Sequence, residues 1–197
     1  MNKIRSRRNF LKLTSLTSGG IISSAPNLNA GWSDFWNHSS KAVRGIPISW
    51  FELFGVEVYQ YANYILKLKL RNITPRMVIA PHLKTRGGHR NCLPPKKMWH
   101  KIKPTLIALD SICDSVGLPV KEILSAYRSP EYNRAVRGNI GSYHMTNQAL
   151  DVRFCKTSAW KVSRVAHKLR DENLFKGGIG RYKNFVHIDT RGVNADW

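Results

Sequence analysis

Ser142-Tyr143-His144-Met145-Thr146-Asn147-Gln148-Ala149-Leu150-Asp151 ends inside a branched and aromatic run, Ala149 to Phe154. That run has the content of a short strand, and its alternation sets Asp151 on the face opposite Leu150 and Val152. His144 precedes Asp151 by seven residues, room for a turn through Thr146-Asn147-Gln148 that returns the ring beside the carboxylate. Further on, Phe185-Val186-His187-Ile188-Asp189 alternates in the same way, with His187 and Asp189 on one face and Val186 and Ile188 on the other. Two imidazoles and one carboxylate, drawn from two separated segments, form the donor set of a zinc centre with three protein ligands and one open position. The open position distinguishes a hydrolytic metal site from a structural one.

Ser125-Ala126-Tyr127-Arg128-Ser129-Pro130-Glu131-Tyr132-Asn133 lies upstream of Ser142-Tyr143-His144 in a fixed order. In that order the chain resembles the LAS-type D-Ala-D-Ala metallopeptidases, whose signature reads S-x-Y-R-S, then N, then S-x-H-x-x-G-x-A-x-D, and finally H-x-H or H-x-D. The resemblance spans roughly residues 75 to 197. It implies a zinc carboxypeptidase or endopeptidase that cuts peptidoglycan stem peptides and cross-links. It also implies that His144, Asp151 and His187 are the metal ligands, that Arg128 stands beside the reacting carbonyl, and that Ser142 helps to hold substrate. A guanidinium stays charged and presents several fixed donors, which suits a carbonyl or an oxyanion; a salt bridge holding the loop is the structural alternative for Arg128.

Two positions depart from the signature. Asn147 stands where the family has glycine, and Asn tolerates the left-handed backbone that such a turn demands. Some relatives place a glutamate base three residues before the final histidine, where this chain has Asn184, and an amide takes no proton from water. Asp189 is the nearest ionisable replacement and is assigned the acid/base role; its alternative is to fix the tautomer of a zinc histidine.

Ser6-Arg7-Arg8-Asn9-Phe10-Leu11-Lys12, followed by a weakly apolar stretch from Leu13 to Ile22, reads as a twin-arginine export signal over residues 1–30. Ser23 and Ala25, or Ala30, offer cleavage sites. The expected partner is therefore the twin-arginine export machinery, and the expected location the periplasm or cell envelope. No later apolar span reaches membrane length, since Glu52, Glu57 and Lys67 interrupt the best candidate, so no transmembrane anchor is expected in the mature chain. Residues 31–74 read as an extension packing on a domain at 75–197.

The net charge is +20, and the first thirty residues hold five basic and no acidic side chains, which leaves about +15 after cleavage. Such a field favours polyanions. No helix-turn-helix, zinc-finger or base-stacking motif accompanies it, so nucleic acid is not expected, and the export signal makes peptidoglycan peptides the expected partner. A binding module that keeps the fold without catalysis is the other function class consistent with Asn147 and Asn184. Cys92, Cys113 and Cys155 lack C-x-x-C spacing; one disulfide with a thiol left over and three free thiols both fit.

The remaining patterns predict an α+β domain, helices packed on a small, mainly antiparallel sheet. Ser49 to Leu70 fits either helix or strands, and Arg76 to Ala80 reads as a short strand. A helix from about Met98 to Val116 buries Ile102, Leu106, Leu109, Ile112 and Cys113, and Gly117 stops it. Val120 to Ala126 reads as a strand that delivers Arg128, and Pro130 to Val136 as a short helix. Ser158 to Arg170 reads as an amphipathic helix with Val162, Val165, Ala166 and Leu169 inward, and Gly177-Gly178-Ile179-Gly180 as the lead into the final strand. His82, His89, His100 and His167 read as surface or packing residues, with His82 a candidate for a pocket rim.

Overall fold

The computed structural model describes residues 45–197; the expected export signal and residues 31–44 of the extension lie outside the described residues. Helices α1 (Ile48–Phe54) and α2 (Val56–Leu66) resolve the ambiguous segment as helical, with Gly55 between them. Val58, Tyr61, Ala62 and Ile65 recur at helical spacing and are all buried. They join the same core as Ile73, Ile79 and Leu106.

The strand expected at Arg76 to Ala80 is instead helix α3 (Pro75–Ile79), continued by a 3-10 turn at Ala80–Leu83. The start signals explain the difference. The Thr74 side chain accepts from the Met77 amide, and Pro75 sits at the first helical position, where its fixed φ and missing N–H do no harm. A two-stranded hairpin follows, β1 (Thr85–Arg86) and β2 (His89–Arg90).

A 3-10 segment at Lys96–Ile102 leads into α4 (Lys103–Val116), which buries the expected face, Leu106, Leu109, Ile112 and Cys113, together with Ile102. Gly117 ends it at φ +69, in the left-handed region that a Cβ would disfavour. Then come β3 (Val120–Ser125), α5 (Pro130–Ala135), β4 (Ala149–Phe154), α6 (Ala159–Asp171), β5 (Gly178–Arg181), β6 (Val186–Asp189) and β7 (Ala195–Asp196). In α6, Val162 and Ala166 are fully packed, while Val165 and Leu169 are only partly buried. From Gly178 on, the glycine run expected as a lead-in is itself strand β5.

The sheet runs β3-β4-β6-β5-β7, antiparallel throughout except for the parallel β5–β7 edge. The domain is therefore α+β, with Leu150, Val152, Val186 and Ile188 in the shared core beneath the helices. All three cysteines are free thiols, Cys113 buried and Cys92 exposed. Among the described residues no helix is long and apolar enough to cross a membrane.

His82 is no rim residue: it is completely buried, and its Nδ1–H donates to the Ile79 carbonyl at 3.0 Å. Burial pushes its pKa down to about 4. An unfolded histidine titrates near 6.5, so between about pH 6.5 and 4 the unfolded chain binds the extra proton and stability falls as pH is lowered. The expected loss attributable to His82 is roughly 3 kcal/mol across that window. Urea midpoints at pH 7 and 4.5 should converge for His82→Phe relative to wild type; equal pH dependence in both proteins would remove His82 as the source.

Candidate metal centre

Register does most of the assembly. Asp151 of β4 stands directly opposite His187 of β6 and opposite Ser125 of β3, so three adjacent strands bring two candidate ligands and the Arg128 partner to one place. His144 enters from the turn before β4, where its carbonyl accepts from the Arg128 amide at 3.1 Å. The turn depends on Asn147, which adopts φ +57, is fully buried, and donates from Nδ2 to the Met98 carbonyl at 3.0 Å. An asparagine thus supplies the left-handed residue and an anchor as well.

The tautomers follow from the partners. The His144 Nδ1 lies 2.7 Å from the Ala126 carbonyl, which can only accept, so Nδ1 carries the hydrogen and Nε2 is bare. That Nε2 is buried with no hydrogen-bond partner, 3.2 Å from Asp151 Oδ1. Two lone-pair atoms facing each other at that distance in a buried site call for a cation between them. His187 Nδ1 lies 2.8 Å from the same Oδ1, and its Nε2 lies 3.0 Å from Asp189 Oδ2. Tetrahedral zinc with bonds of about 2.0–2.2 Å sets its ligand atoms about 3.3–3.6 Å apart; the His144–Asp151 spacing is near that value, while the shorter His187–Asp151 spacing is that of a hydrogen bond. His144, Asp151 and His187 accordingly form a buried group whose ligand atoms all lie within 4.8 Å of one another, and they fit a metal ion.

Electrostatics around the group is coupled. Burial raises the Asp151 carboxyl, yet the two histidines outweigh it and hold Asp151 far below the usual carboxylate range. Burial lowers both histidines; His144 stays lowered, whereas hydrogen bonds to Asp151 and Asp189 leave His187 raised. Arg128 donates from Nη2 to Asp151 Oδ2 at 2.6 Å and from Nε to Ser125 Oγ at 2.7 Å. The salt-bridge alternative for Arg128 is thus realised, on the oxygen of Asp151 that faces away from the histidines. Its Nη1 has no partner among the described residues. Ser142 is half-buried on the same cleft, its hydroxyl likewise unpartnered.

Asp189 sits differently from the expectation of a water-facing acid/base. Alternation does bring it to the His187 face, but it is completely buried and does not line the cleft. The amides of Gly178 and Arg191, the Arg191 guanidinium and His187 Nε2 occupy its two oxygens. Burial raises its pKa, and these donors, Arg191 foremost, more than reverse that. The cover comes from close packing: a Cβ on Gly178 would lie 2.5 Å from Asp189 Oδ2, and one on Gly180 2.5 Å from Trp197 Nε1. Only glycine lets β5 come so near.

Sequence reasoning missed Arg191 and Trp197. The Arg191 guanidinium lies 4.3 Å from the Tyr143 ring centroid and 5.0 Å from that of Trp197, whose ring is in turn 5.1 Å from His187. The available signal was period two carried one step further, from His187 through Asp189 to Arg191. Tyr143, Tyr182, Phe185 and Trp197 form the aromatic side of a cleft of about 640 Å³ over the His144, Asp151 and His187 group. A second lobe of about 720 Å³ meets it at Arg128 and Asp151. Asp151 is the one carboxylate among the described residues that line either lobe.

Residues 78–189 match the family model described as Peptidase M15. A curated relative, named a probable peptidoglycan L,D-endopeptidase MepK of Haemophilus influenzae, is 35% identical over 106 residues, covering 49% of this chain and 54% of that protein. The chain thus spans about half the length of the curated relative it matches. No solved structure matches this chain. The ordered motifs, the His-Asp-His group built across β4 and β6, and a family match over more than half of the residues lead to one conclusion: the chain belongs to the Peptidase M15 family.

Proposed function

We propose that this protein is a zinc peptidase that hydrolyses peptide bonds of peptidoglycan, as an endopeptidase on cross-links or stem peptides. The observation that carries the reading is the convergence of two inward-facing nitrogens, the unpartnered His144 Nε2 and the His187 Nδ1, on Asp151 Oδ1 at the floor of an open cleft. A structural site would be closed; this one opens on a groove. Endopeptidase is preferred over carboxypeptidase because the two lobes meet at Arg128 and Asp151, leaving room for chain on both sides of the reacting bond. The relative's printed name supports peptidoglycan as the substrate class.

His144, Asp151 and His187 would hold the zinc ion, which supplies a Lewis acid able to bring a water molecule's pKa toward neutrality. Arg128, fixed by Ser125 and Asp151, offers its free Nη1 to a peptide carbonyl and to the charge that develops there. The Ser142 hydroxyl is free to orient the peptide backbone. Asp189 holds the His187 ring so that Nδ1 faces the centre, a supporting role that replaces the acid/base assignment. A positioned base typically contributes about 10²–10⁴-fold, so its absence from the cleft lining bears on rate more than on reaction class. Non-catalytic wall binding is the second reading, and that same missing carboxylate is what favours it. The Ser6-to-Lys12 motif and the substrate class together point to the cell envelope, reached by the twin-arginine route.

Digestion of purified peptidoglycan by the zinc-loaded protein, read by mass spectrometry, tests the proposal. New fragments that disappear with His144→Ala establish the hydrolase and name the bond. An unchanged digest with wall binding intact turns the reading to the binding module.

A further inference from the structure

We infer that Arg137, with Arg86 beside it, forms a subsite for a free carboxylate of the peptide substrate on the side of the cleft away from the aromatic wall. The inference rests on the peptidase reading and extends it to substrate class. The second lobe is lined by Lys84, Arg86, Arg128 and Arg137, against the single carboxylate of Asp151. That carboxylate is already engaged by Arg128 and His187. Lys84 is engaged too, through Glu122 and the Leu124 carbonyl. Arg86 and Arg137 are the two cations of this lobe that no acidic side chain pairs among the described residues.

Arg137 differs from an ordinary solvated arginine in two ways. It lines both lobes, so it stands where a peptide crossing the reaction centre must pass. Its backbone is left-handed, at φ +56, a conformation that a branched or long side chain adopts at a cost and that glycine adopts freely. Lys69 and Lys156 share that conformation but line neither lobe, so the backbone alone does not mark a site. The loop is held rather than loose: Asn133, itself buried, donates to the Asn139 carbonyl at 2.9 Å, and the Gly138 amide donates to the Asn133 carbonyl at 2.8 Å. Arg137 is exposed, and a guanidinium carried on a held backbone at the cleft is suited to a planar carboxylate, which accepts two parallel N–H bonds. The hairpin β1–β2 brings Arg86 to the same lobe from the other side. The substrate class is therefore a peptide with an unblocked carboxylate close to the bond that is cut.

The test compares a purified cross-linked muropeptide with the same compound converted to its methylamide by carbodiimide coupling. Binding to the metal-free protein is measured by calorimetry and hydrolysis by the zinc-loaded protein. Wild type should bind the free acid about tenfold more tightly than the amide, and Arg137→Gly should lose that preference. Arg137→Gly should keep or raise Tm, because glycine removes the left-handed cost, and Arg137→Lys should restore part of the preference. Equal binding of acid and amide by wild type overturns the inference, as does an Arg137→Gly protein that keeps the full preference. Hydrolysis of neither compound, with acid-selective binding intact, would count against the peptidase reading while supporting the subsite.

Discussion

Asp151→Asn should lose the metal and all measurable hydrolysis, and should lower the stability of the metal-free protein more than His144→Ala does. The first half follows from the ligand set, because an amide supplies neither the charge nor the oxygen basicity that a carboxylate offers to zinc. The second half follows from what else Asp151 carries. Its Oδ2 accepts from Arg128 and its Oδ1 from His187, and both partners are largely enclosed, with side-chain exposures of 16% and 9%. Removing the anion leaves an enclosed guanidinium and a raised-pKa imidazole without their counter-charge. Breaking a buried pair by deleting one partner typically costs about 3–5 kcal/mol. His144→Ala removes a neutral ring and leaves that pairing untouched, so its cost is mainly a cavity. Zinc content by mass spectrometry and thermal unfolding of the metal-free proteins check both halves. Stoichiometric zinc in both variants would sink the ligand assignment, and equal Tm values would sink the charge argument.

Sequence pattern alone exposes the metal group because each of its parts is local. Alternation in Ala149–Phe154 and Val186–Asp189 sets which face each side chain takes, and the structure pairs Asp151 with His187 across those two strands. The face of α4 and its stop at Gly117 were legible for the same reason, one period and one capping residue. What alternation cannot state is the cover on a face. Asp189 shares the His187 face as expected, but β5, Arg191 and Trp197 close over it through strand pairing and side-chain packing that alternation within one strand does not encode. The glycines that allow this approach look like a flexible lead-in when read locally. Arg76 to Ala80 failed in another way: its apolar run is too short for periodicity to separate strand from helix, and the deciding signals, Thr74 and Pro75, lie just before it.

The covered position of Asp189 leads to the second large effect, and it separates two roles that activity alone would confuse. Asp189→Asn keeps the size and an acceptor oxygen for His187 Nε2–H, but removes the charge that Arg191, Gly178 and His187 surround. If Asp189 orients and polarises His187, zinc affinity should fall by about 10–100-fold, the usual cost of losing such a support. The rate at saturating zinc should then stay within about an order of magnitude of wild type. A general base gives the opposite split: unchanged zinc affinity, and a saturated rate lower by about 10²–10⁴-fold. Arg191→Gln should reproduce the affinity loss more weakly, since the hydrogen bonds of the guanidinium go to Asp189 and not to a ligand. Zinc titration in competition with a chelator, followed by rates at saturating metal, decides between the two. Unaltered zinc affinity in Asp189→Asn, with the rate lost, would return the acid/base role to Asp189 and would require the cover formed by β5 and Trp197 to open during turnover.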